Sequence, residues 1–258
     1  MTTDLTGPEL PVTGNLPNGA EVEQKAAERM EQLMLLPAVR AAFSYIEEQG
    51  LKSKGYAYHF GHEDHTTEVI RDAILFAEYN NALIETGSVG FDLEDVVTEE
   101  EFELLAIAAA GHDTGFGALP REVNGKGHEE HSAQNAARFM EGHYSPEQIA
   151  RVQQMVRDTV VRMEGDSMQV SSGDKLSKFL LDADVSNFGR DDFFEKSDFV
   201  AQEVQTADRG VFDSFALNFL LKRHHWQTAA ARLLRADKER ENVAFLEEKL
   251  KRPLNTVS

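Results

Sequence analysis

The stretch LLAIAAAGHDTGFG, residues 104–117, limits the folds open to this chain more than any other segment. Leu104 to Gly111 are eight mostly apolar residues with no polar face, so a helix formed by them has to be buried. That helix ends on an imidazole beside a carboxylate, His112-Asp113. A buried helix can in this way hand two metal ligands to a cleft. Two ligands alone do not hold a metal, and the others must come from distant parts of the chain.

Helical periodicity recurs on both sides of this stretch. Val22, Ala26, Met30 and Leu33 share one face, and Pro37 should break or kink that helix before a second one runs up to Gly50. Residues 51–64 read as loop and contain His59 and His62, with His65 directly after. Thr66 to Ile84 read as helix. Thr98-Glu99-Glu100-Glu101 has the form of a capping box for the helix that leads to His112. A glycine-rich rim loop over residues 114–127 follows, and then a helix from about His128 to Glu141. Ser145-Pro146-Glu147-Gln148 is a second N-terminal signature, for a helix expected to reach about Met163. Four more helical patterns span 174–187, 191–205, 209–223 and 226–251. Strand signals are nearly absent. The expectation is an all-α helical bundle: a mobile tail over residues 1–20, then a single domain over 21–258.

Composition narrows the function classes. With 26 basic against 45 acidic residues the net charge is −19, a field that repels polynucleotides and anionic membranes. A small phosphorylated substrate stays compatible if a cation reverses the potential locally. The chain has no cysteine, hence no disulfide and no thiolate-bound metal. No apolar run approaches the roughly 20 residues that span a bilayer, and the first residues lack a secretory pattern. The expected location is cytoplasmic, with no membrane partner and with homo-oligomerisation left open.

A divalent cation in a catalytic site takes imidazole and carboxylate ligands and keeps a position open to water. His65 opens one apolar helix, His112 and Asp113 end another, and Asp184 lies near the end of a third, with Asp182 competing for the same role. The four could converge in one bundle.

The order His65 (HTTEV), His112-Asp113 (GHDTGF) and Asp184 (LLDADVSNFG) resembles the H…HD…D signature of the HD-domain metal-dependent phosphohydrolase superfamily. The resemblance continues through His128-Glu129-Glu130-His131-Ser132-Ala133, and Ala183 to Asn187 looks like the matching motif of cyclic-nucleotide phosphodiesterases, which share the helical fold. It covers about residues 56–190. Two features depart from it. A Tyr-His-Asn segment typical of these families has its histidine four residues before the first ligand, whereas His59 and His62 stand six and three before His65. Val156-Arg157-Asp158-Thr159 also stands where a dedicated second-metal histidine is expected. One tightly held ion is therefore implied, Mn, Mg, Zn, Ni or Fe, with room for a second one bridged by Asp113.

The resemblance implies hydrolysis of a small phosphate ester, a nucleotide or cyclic nucleotide in the first instance, by a water that the cation activates. Asp113 would bind metal and orient that water, while His128, His131 or Glu129 protonates the leaving oxygen. Arg121, Lys126, Lys175, Lys178 and His62 are the candidate phosphate contacts. Two other classes remain: a di-iron oxygenase of the same fold, drawing on the extra histidines, and a non-enzymatic nucleotide-binding sensor.

Overall fold

A computed structural model of the chain describes residues 15–49, 56, 58–60, 65–88, 96–116, 127–160, 162–164, 167–169, 173–203, 208–222 and 224–251. Those residues form ten α-helices: α1 (Gly19–Leu33), α2 (Pro37–Glu48), α3 (His65–Glu85), α4 (Glu99–Gly111), α5 (His128–Met140), α6 (Pro146–Asp158), α7 (Lys175–Asp184), α8 (Phe193–Glu203), α9 (Arg209–Lys222) and α10 (Ala229–Lys251). A 3-10 turn, Ser186–Gly189, follows α7. Pro37 starts α2 at a position where its missing N–H costs nothing. Both sequence-read capping boxes are formed, Thr98 with Glu101 and Ser145 with Gln148.

Three expectations need correction. Gly19 and Ala20 belong to α1 rather than to a tail, the Asn18 side chain bonding to Glu21 one turn inside the helix; residues 1–14 lie outside the described ones. Helix α6 stops at Asp158, five residues short of Met163. The run Thr159-Val160-Val161 is β-branched, which favours extended backbone, and the Thr159 hydroxyl donates to the Val156 carbonyl, tying off the last turn. Beyond it lies a short antiparallel strand pair, β1 (Arg162–Glu164) with β2 (Ser167–Gln169), the only strands among the described residues.

Helices α3 and α4 are the centre. Helix α4 packs against α2, α3, α5, α6 and α7, and every residue from Leu104 to Gly111 is buried. Helix α3 packs against α1, α4, α7 and α10. Two hydrogen bonds fix the start of α4 against α3, the Asn81 side chain accepting from Val97 N and donating to Val97 O, both at 2.8 Å. A second, smaller core joins Phe193 of α8, Leu220 of α9 and Val243 and Leu246 of α10. Among the described residues no helix is long and apolar enough to cross a membrane.

Candidate metal centre

Three helix ends meet at one point. His65 is the first residue of α3, His112 and Asp113 follow the last turn of α4, and Asp184 is the last residue of α7. One donor atom from each of these four side chains lies within 4.8 Å of the other three. His65 Nε2 is 3.1 Å from Asp184 Oδ1 and 3.6 Å from Asp113 Oδ2, and His112 Nε2 is 3.4 Å from Asp184 Oδ1.

Local bonding sets each donor. His112 Nδ1 donates to the Ala109 carbonyl at 2.7 Å, which leaves the Nε2 lone pair free to accept. That Nε2 lies 2.9 Å from Asp113 Oδ2, yet both atoms are buried and neither has a hydrogen-bond partner. A cation held with the donor atoms of His65 and Asp184 would satisfy both. Helices α4 and α7 also present their C-terminal, carbonyl-rich ends to this point, adding negative potential to that of the carboxylates.

The turn that carries Asp113 is bolted to α5. Gly115 N donates to Ser132 Oγ at 2.8 Å, the Asn135 side-chain amide donates to Thr114 O at 3.1 Å, and Thr114 Oγ1 donates to Gly111 O at 2.8 Å. A Cβ on Gly115 would run into the His128 carbonyl and lie 2.8 Å from both His131 Cβ and Ser132 N. This close approach explains the glycine of GHDTG.

Asp182 does not compete with Asp184. Its carboxylate accepts from Gln227 N at 2.8 Å, Thr228 N at 2.9 Å and Thr228 Oγ1 at 2.7 Å, capping the approach to α10. Burial pushes its pKa up to about 6 even so. On the far side of Asp184, the Ser186 hydroxyl donates to Asp72 of α3, which also faces Arg190 and Arg235. These bonds lock the DADVS segment between α3 and α10.

Electrostatics follow the donor set. Burial opposes a charge on His112, but Asp113 and then Asp184 outweigh it and hold the imidazole well above its ordinary value. Burial likewise opposes ionised Asp113, and His112, His59 and His128 overcome it, leaving the carboxyl well below the usual range. Asp184 is lowered in the same way by His112 and His65 against its burial. A proton on an imidazole does here, imperfectly, what a divalent cation would do. The donors, two imidazole nitrogens and two carboxylate oxygens without sulfur, suit Zn, Mn, Fe or Ni.

Two further histidines face Asp113. His128 Nε2 stands 3.5 Å from its Oδ1 and 3.8 Å from Glu129 Oε1. His59 Nε2 stands 3.8 Å from its Oδ2. Phe116 lies between them, stacked on His59 at 4.2 Å and 3.9 Å from the His128 ring. The Tyr58 ring lies 4.6 Å from that of His65, and its hydroxyl is held protonated by burial and by Asp184.

Glu203, at the end of α8, was not legible as a site residue. Its Oε1 lies 2.5 Å from His59 Nδ1, and its Oε2 accepts from Tyr58 N at 3.0 Å and His59 N at 3.3 Å. One carboxylate thus fixes both the backbone and the ring of His59. Nothing local marks Glu203 in the sequence, because its partners are 144 and 145 residues away.

The remaining candidates fall elsewhere. His131, one turn beyond His128 on α5, is half-buried and stands outside the group of four. Lys175 spends its ammonium on Glu101 and the Val96 carbonyl, both at 2.8 Å, at the opposite end of α7 from Asp184. Lys178 is half-buried on α7, six residues before Asp184, or about 9 Å along the helix axis and on a different face. Arg121, Lys126 and His62 lie outside the described residues. Set against protein-family models, curated proteins and solved structures, the chain matches none.

Proposed function

We propose that this protein is a metal-dependent phosphohydrolase of the HD-domain kind, cleaving a small phosphate ester, with nucleotides among the candidates. The observation that carries the reading is the convergence of His65, His112, Asp113 and Asp184 from three helix ends, with His112 Nε2 and Asp113 Oδ2 buried and unpartnered. When bound there, a divalent cation would polarise a water and offset the charge of the phosphoryl oxygens.

The chain's own residues supply the rest. Asp113 has one oxygen towards His112 and the other towards His128, so it can hold the ion and orient a water at once. His59 is the leading proton donor to the leaving oxygen. Glu203 fixes its Nδ1, its Nε2 faces the cluster, and Asp113 and Glu203 raise its pKa against the effect of burial, which favours the protonated ring that a donor needs. His128, with Glu129 beside it, approaches from the opposite side and is the second candidate.

The same two histidines favour one rival. Imidazoles on both oxygens of Asp113 are what a second ion would need, and two irons would make the chain an oxygenase. Elemental analysis followed by a phosphate-release screen separates the two. One Mn, Zn, Ni or Mg with phosphate release, lost in Asp113→Ala, supports hydrolysis. Two irons with a visible absorption band and no phosphate release support the oxygenase, and turnover retained in Asp113→Ala overturns the hydrolytic reading.

A further inference from the structure

A cavity of about 260 Å3 opens off the metal cluster, with Asp184 and Tyr58 forming the shared end. Five phenylalanines dominate the rest of its wall: Phe188 from the 3-10 turn, Phe193 from α8, and Phe212, Phe215 and Phe219 from α9. Phe215 is 62% exposed. Phe193 is anchored in the second core with Phe188 and Phe219 packed against it, whereas Phe215 forgoes the stabilisation of burial, and an apolar cavity with such a ring beside a polar centre marks a ligand site.

Size and chemistry restrict the occupant. The volume falls just below the roughly 300 Å3 at which pockets for drug-sized ligands begin, so it suits a one- or two-ring group. Beyond the end shared with the cluster, its polar side chains among the described residues are Asn187 and Ser197. A nucleobase carries more hydrogen-bonding edges than these two can meet, and each edge buried without a partner counts against binding. Among the described residues no lysine or arginine lines the cavity, so the phosphate belongs at the cation and the apolar group in the cavity.

We infer that this cavity is the specificity site and seats a flat, apolar, one- or two-ring organic group, in preference to a nucleobase, with the phosphate of the same ester at the cluster. The position of the phosphate rests on the hydrolytic reading; the occupant of the cavity rests on its aromatic wall alone.

The test has two arms on the full chain. In the first, 2-naphthol fluorescence reports binding whether or not any ester is cleaved. Saturable binding at one site is expected, weakened at least tenfold in Ala216→Trp, which fills the cavity. Phe215→Ala, at an exposed position whose loss leaves folding intact, should weaken it severalfold, while Leu35→Ala, exposed and outside the cavity lining, leaves it unchanged. Binding that is indifferent to both cavity variants, as it would be in the apolar groove beside Ala26, Met30 and Leu75, overturns the inference. Displacement by adenosine at the same concentration as by a second naphthol also overturns it. In the second arm, 2-naphthyl phosphate is compared with AMP and glycerol phosphate in the presence of Mn2+. The expected result is a kcat/KM at least tenfold higher for the naphthyl ester, with Ala216→Trp lowering that ester alone. No phosphate from any of the three counts against hydrolysis and leaves the naphthol result to decide the cavity. Equal turnover of all three, unchanged in Ala216→Trp, overturns the cavity inference and upholds hydrolysis.

Discussion

His112 Nε2 and Asp113 Oδ2 lie 2.9 Å apart at the buried end of α4 without a hydrogen bond between them. Two acceptors so placed repel unless a positive charge sits between or beside them. Asp113 and Asp184 favour a proton on the imidazole, and a divalent cation held by the four donors would supply the same charge.

Added metal should therefore raise the thermal stability of the protein. At one hundred times its dissociation constant the gain is about 2.7 kcal/mol, read as an upward shift in Tm. His112→Ala and Asp184→Asn should remove most of that shift and the bound metal together. A shift of undiminished size in both variants would place the ion elsewhere.

Glu203 orients His59 without being among the four donors. Glu203→Gln should keep the metal and lower kcat by about 10- to 100-fold, with the alkaline limb of the pH–rate profile moved to lower pH, because the partner that holds the His59 proton has gone. Loss of metal with no change in the profile would make Glu203 a purely structural residue.

Gly115 admits no side chain without moving the first turn of α5. Gly115→Ala should cost about 1–3 kcal/mol of stability and weaken metal binding, since the displaced turn carries Asp113. Thermal melts with and without metal measure both effects.

Glu239 accepts from the Trp226 indole at 2.7 Å and lies 2.6 Å from His224 Nδ1, with Trp226 and Glu239 buried and His224 half-buried. Glu239→Ala leaves the indole N–H unpaired, at a cost of about 1–3 kcal/mol. Trp226 is the one tryptophan in the chain, so its emission should change in step with the loss of stability.

Acid should unfold the protein through Glu68 and Asp72. Burial opposes their ionisation, yet Arg190 and Lys196 hold Glu68, and Arg235 and Arg71 hold Asp72, below the ordinary values of 4.5 and 3.8. A group depressed in the folded state adds stability above its unfolded pKa and withdraws it as pH falls through the folded value. Tm should fall once the pH drops below about 4.5, and the fall should be shallower in Glu68→Gln. An equally steep fall in that variant would assign acid lability to other carboxylates.

The helices were legible because their signals are local. Thr98 and Ser145 announce helix starts within four residues, and the apolar run before His112 requires burial. The identities of the four donors were legible as residue types in order. Spacing alone left Asp182 competing and the resemblance favoured Asp184; what takes Asp182 out is its meeting with Gln227 and Thr228, 45 and 46 positions away. Glu203 and the phenylalanine wall were hidden for the same reason: a tertiary contact leaves no trace in spacing. The end of α6 could have been read from Thr159-Val160-Val161, where β-branching outweighs the helical period.

His65 and Asp184 are 119 residues apart in sequence and 3.1 Å apart in space. An ion gripping both is a removable cross-link across almost half the chain. It forms only after α3, α4 and α7 have docked, so it does little for the speed of folding. Its effect falls on the reverse step, since any opening of these helices must first give up the ion, and chelation should shorten the lifetime of the native state more than it slows the return to it.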